Sequence, residues 1–150
     1  GTRILLAAGN YGGGFYFAKL RGAKDRPIVI AAADPKAPPV FSDAKVAMHL
    51  SAPAFVELHG LTFTNLSVNG LNIDDGGEAD GAREVTLRGL RVSKVASRGN
   101  DDGLKLSGLT GFRVEECVIE AWGTGGGSGN FVVFSSLSPS LLSPYRGRCH

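Results

Sequence analysis

The chain is predicted to fold as an all-β solenoid, and three observations predict it. Apolar residues alternate in short runs: Val56 and Leu58, then Leu61 and Phe63, return as Val85 and Leu87, then Leu90 and Val92. A period of two marks half-buried strands, not helical turns. Glycines punctuate the runs at equivalent places, Gly60 and Gly89 before the second strand, Gly70 and Gly103 at the head of a third (GLNI and GLKL). The spacing then repeats. Ile28, Val56, Val85 and Phe112 follow one another at intervals of 28, 29 and 27 residues, and Ile30, Leu58, Leu87 and Val114 keep the same register. Recurrence in the range of ~20–50 residues is the mark of stacked units, each of which needs neighbours to bury its apolar side chains.

Each element follows from these rules in chain order. The first strand carries Ile4 and Leu6 and ends at Gly9-Asn10; three glycines, 12 to 14, then turn the chain into Phe15-Tyr16-Phe17. A phosphate-binding loop would need a Lys-Ser/Thr pair and a helix after those glycines, and neither follows. The run DPKAPP, residues 34 to 39, is a proline-rich corner before Val40-Phe41. Met48 and Leu50 point inward if the alternation holds, leaving His49 outward. Asn65-Leu66-Ser67 matches the glycosylation sequon, to which no role is assigned. Cys117 sits in the inward column of Leu61 and Leu90, with Ile119 beyond it, so it is expected to be buried and unpaired. Two cysteines, Cys117 and Cys149, are no disulfide framework.

After residue 129 the register is lost. Phe131 to Phe134 is expected as a last strand, while Pro139 and Pro144 interrupt any further ladder. The chain thus divides into a solenoid domain over 1–135 and an irregular Ser/Leu/Pro-rich tail over 136–150, the part expected to be least ordered. A shifted reading frame would produce the same abrupt change. No initiator Met or signal-like segment is seen, and the chain begins almost inside a strand, so it reads as a piece of a longer protein.

Composition narrows the function. Gly accounts for 22 of 150 residues, well above the usual ~7%, as tight corners in every coil require. The net charge is only +2 and no basic run with interleaved aromatics occurs, which argues against nucleic acid as a partner. No apolar run approaches the ~18 residues of a membrane span. A monomer is expected.

If the coils stack in register, outward residues of the third strands form a ladder at ~4.8 Å per coil. Alignment gives Tyr16, His49, Asn72, Lys105 and Phe131 as its steps, an aromatic and polar face suited to an extended polysaccharide. Asp74 and Asp75 follow one of these strands, and Asn100, Asp101 and Asp102 precede the next. Clustered carboxylates can hold Ca²⁺, which takes several oxygen ligands. Such a cation would neutralise a uronate carboxyl and acidify its α-proton, and Lys105 would be the base that removes it. The same residues also have an ordinary reading, because Asp-Gly and Asn-Asp are common turn chemistry and Lys105 would solvate a sheet face or pair with Asp102.

The segments TRILLAAGNYGGGFYF, RPIVIAAADPKAPPVF, FVELHGLTFTN and NDDGLKLSG resemble the right-handed parallel β-helix of the pectate-lyase-like superfamily, over roughly residues 2 to 129. Their order is similar to that in polysaccharide lyases of the alginate and chondroitin type. The resemblance implies a right-handed parallel β-helix of about four to five coils, a hand that the rule for parallel crossovers also favours. It implies β-elimination on an acidic polysaccharide, with a Lys or Arg base beside an acidic, often calcium-bound cluster. Lys105 matches the base, Arg98 a helper, and Asp101, Asp102, Asp74 and Asp75 the metal ligands, with Tyr16, His49 and Asn72 binding substrate. It also implies a secreted or periplasmic protein. The other class open to this sequence is a noncatalytic β-helix, a glycan-binding module or surface scaffold.

Overall fold

The computed structural model describes residues 1–96, 102–122 and 132–135. Arg98, Asn100, Asp101, Phe131, Cys149 and the tail over 136–150 lie outside the described residues. The described chain is all-β, and every pairing between its strands is parallel.

Five passes of the chain are laid against one another. The first contributes β1 (Thr2–Leu6), β2 (Gly9–Asn10) and β3 (Phe15–Ala18), and the second β4 (Ile28–Ala32) and β5 (Pro39–Ser51). The third is β6 (Ala54–His59) and β7 (Thr62–Asp74). The fourth is β8 (Ala82–Arg88), β9 (Arg91–Val95) and β10 (Leu104–Ser107). The last is β11 (Leu109–Glu115), β12 (Val118–Trp122) and β13 (Val132–Ser135). One sheet runs β1-β4-β6-β8-β11, taking one strand from each pass. The other runs β12-β9-β7-β10-β13, with β5 against the free side of β7 and β2 and β3 against β5.

The registers match the sequence alignment. Ile28 pairs with Val56, Val56 with Val85 and Val85 with Phe112, and two residues on Ile30, Leu58, Leu87 and Val114 are paired in the same order. Alternation explains why: a slip of one residue would turn each apolar column to solvent. Val56, Leu58, Val85 and Leu87 are almost wholly shielded, and Phe41 and Phe63, paired in register, pack as tilted rings with centroids 5.5 Å apart in the same core. A fully buried leucine such as Leu58 contributes roughly 1.5–3 kcal/mol through the area it removes from water.

Three expectations are corrected. Phe112 and Cys117 are half-buried, not buried; among the described residues β11 and β12 end their sheets and have no outer neighbour. The second and third passes do not contain three short strands, because two run together as the 13-residue β5 and β7. Their corner is made by a single residue with positive φ, Asp43 at 58° and Asn65 at 54°, and by a register shift between Ala44 and Val46. Short polar side chains tolerate the left-handed region, so no glycine announces this bend.

Candidate functional site

The outward ladder forms on the second sheet as the alignment requires. Tyr16 pairs with His49, His49 with Asn72 and Asn72 with Lys105. The step beyond Lys105 is Val133, not Phe131, since β10 pairs with β13 in the register Leu104 to Val132. The sequence between β12 and β13 holds the glycine-rich run 123–129, which obscures the spacing there.

A second outward column runs two residues further on, through Ala18, Ser51, Asp74 and Ser107. Between the columns lies a polar cluster that residue-by-residue alignment does not show. His49 Nε2 lies 2.5 Å from Asp74 Oδ2, Ser51 Oγ donates to Asp74 Oδ1 at 2.8 Å, and the Gly76 amide donates to the same oxygen at 3.0 Å. Asn72 Nδ2 reaches Asp74 Oδ2 at 3.4 Å, and Tyr16 packs edge-on against the His49 ring at 5.0 Å between centroids. The Asn72 Oδ1 atom is shielded and has no hydrogen-bond partner among the described residues.

Asp74 is the electrostatic centre of the group. Burial is the largest single effect and pushes its carboxyl up, but the hydrogen bonds from His49 and Ser51, the His49 charge and the Gly76 amide together hold it below its ordinary value. With Nε2–H on the carboxylate, Nδ1 is the nitrogen left to exchange a proton: it accepts in the neutral ring and donates in the imidazolium. Ser51 donates to the carboxylate and not to the ring, so the three residues are not ordered as a serine nucleophile with its base. What they make is an imidazole held in one orientation by a carboxylate, a unit that can give or take a proton.

Lys105 stands one step beyond Asn72, which places its backbone about 10 Å from that of His49. The described carboxylates do not converge on it. Asp74 ends β7 opposite Ser107, whereas buried Asp102 precedes β10 beside Asn69, whose Oδ1 accepts from the Asp102 amide at 2.9 Å. The two are therefore separated by most of a strand. Asp75 Oδ1 accepts from the Gly77 amide at 2.9 Å. Among the described residues no three acidic, His or Cys groups are placed to share a cation. The described part of the expected calcium set thus does not fit one ion, and Asp101 and Arg98 fall outside the described residues.

No family model, no curated protein and no solved structure matches the chain.

Proposed function

We propose that the passes close into a right-handed parallel β-helix and that the face carrying Tyr16, His49, Asn72 and Lys105 binds and cleaves an acidic polysaccharide by β-elimination. The observation that carries this reading is the in-register ladder with an oriented imidazole at its second step. Its pitch of ~4.8 Å is close to the repeat of a sugar ring along an extended chain, so successive side chains can meet successive sugars. Tyr16, the most exposed large apolar side chain among the described residues, offers a ring face to a sugar at one end.

The chemistry needs a base, an acid and a way to hold the uronate. Lys105 removes the proton α to the carboxyl, the electron pair forms the C4–C5 double bond, and the C4–O bond to the leaving sugar breaks. His49, oriented by Asp74, gives a proton to the leaving oxygen, while the Asn72 amide between them holds the uronate ring by hydrogen bonds. A substrate of this kind places the protein in a secreted or periplasmic setting.

The test is ultraviolet absorbance of unsaturated sugar ends on alginate, pectate and chondroitin, with and without a calcium chelator. Loss of general acid-base catalysis costs roughly 10²–10⁴ in rate, so Lys105→Ala and His49→Ala should each lower turnover by that order with the fold intact. Unchanged turnover removes that residue from the mechanism. Glycan binding with no product supports the noncatalytic alternative.

A further inference from the structure

We propose that the turn joining β7 to β8, residues 75–81, is an anionic strap whose Glu78 occupies a cationic subsite built by Lys19 and Arg21 for the acidic glycan. The inference rests on the glycan reading above and concerns how that same face is extended and occluded.

The strap starts at the site itself. The Gly76 amide sits on Asp74, and a Cβ added to Gly76 would lie 2.9 Å from Ser51 Oγ, so the chain passes close over the second pass. It then reaches the first pass. Glu78 Oε1 lies 2.6 Å from Lys19 Nζ, Glu78 Oε2 lies 3.4 Å from Arg21 Nη2, and Arg21 Nη1 donates to the Asp80 carbonyl at 3.3 Å. Lys19 is fixed at the corner just past Tyr16 and Ala18, its amide donating to the Ser51 carbonyl at 2.8 Å. The two cations therefore follow the end of the strand that carries exposed Tyr16.

A glutamate side chain presents the same carboxylate as a uronate ring. Exposed ion pairs of this sort contribute little, because water screens both partners, and the Lys19 and Glu78 side chains are 64% and 42% exposed. Backbone bonds from the Glu78 amide to the Asp75 carbonyl and from the Gly81 amide to the Glu78 carbonyl hold the turn, but an added Cβ on Gly77 would meet nothing within 4 Å, so the side beside Glu78 is open and its side chain has room to swing off the cations. A glycan carboxylate arriving at Tyr16 can replace Glu78 on Lys19 and Arg21 at small cost, whereas a neutral glycan has nothing to exchange for it.

Titration calorimetry at low salt, with a uronate oligosaccharide and a neutral one of equal length, tests this. Glu78→Gln should bind the uronate chain up to about fivefold more tightly, with the neutral chain unchanged. Lys19→Ala should weaken uronate binding, and Glu78→Gln added to Lys19→Ala should gain less than it does in the wild type, since only Arg21 is then left to be freed. If Glu78→Gln leaves uronate affinity unchanged or lowers it while the wild type binds, the strap is structural and the proposal falls. If neither wild type nor variants bind the uronate chain, the glycan reading itself falls, and this proposal with it.

Discussion

Asp74 is held ionised by neighbours on two passes, His49 and Ser51 from β5 and the Gly76 amide from its own turn, so its titration is coupled to folding. Its carboxyl is depressed below the ordinary 3.8 of the unfolded chain. The unfolded state therefore binds the proton more readily, and the stability Asp74 confers is present above that value and disappears as pH falls through the folded one. Asp74→Asn should lower stability at neutral pH and flatten the acid limb, the two proteins converging in acid; parallel curves of urea midpoint against pH would contradict it. Cys117 shows the opposite direction. Burial pushes its thiol up, and it lies against the carbonyls of Leu87 and Glu115 at 3.7 and 3.4 Å. In a Cys149→Ser background, thiol labelling at mildly alkaline pH should be slow until the protein is unfolded, because the thiolate is the reactive form. Rapid labelling of the folded chain would show that the half-buried position leaves the sulfur open.

The corners of the strands carry stacked residues of positive φ, and one column tests what each corner costs. Gly60, Gly89 and Glu116 take equivalent places at φ of 64°, 61° and 55°. A Cβ on Gly89 would find its nearest atom at 3.9 Å, so Gly89→Ala introduces backbone strain without a clash. That strain should cost about 1 kcal/mol, the left-handed penalty less the entropy removed from the unfolded chain. Glu116→Gly at the equivalent place should have the opposite sign and gain up to about 1 kcal/mol; urea denaturation of both variants checks the pair. The same columns explain what sequence makes legible. Gly60 and Gly89 announce their corner, as Glu116 does not, and Asp43, Asn65 and Lys94 hide another because polar residues stand where a glycine is sought. The ladder from Tyr16 to Lys105 is legible because alternation fixes a register. The His49 to Asp74 contact is not, since it runs diagonally between columns and depends on Ser51 and Gly76 to hold the carboxylate in place.

At the scale of the whole molecule, each described pass touches the ones beside it, and its core is filled by columns that continue from pass to pass. Stability in such a stack is close to a sum of each pass and its interfaces, unlike a closed globule in which every layer depends on the rest. The last pass is the one to remove. Ending the chain after Gly108 takes away β11, β12 and β13 and uncovers Val85, Leu87, Val92 and Leu106, while Ile30, Met48, Val56, Leu58, Phe63 and Leu71 keep neighbours on both sides. The shortened protein should keep its β-type circular dichroism and melt at lower temperature. Its urea m-value should fall, since m follows the surface exposed on unfolding and one of the five described passes is gone. Asp74 lies beside the new end, paired with Ser107 just before the cut, but His49, Ser51 and Gly76, which hold its carboxylate, are all kept, so its depressed titration should persist, which the pH dependence of the truncated protein measures. Loss of all β structure on this truncation would instead make the chain a single all-or-none unit, and the stacked reading of its passes would have to be given up.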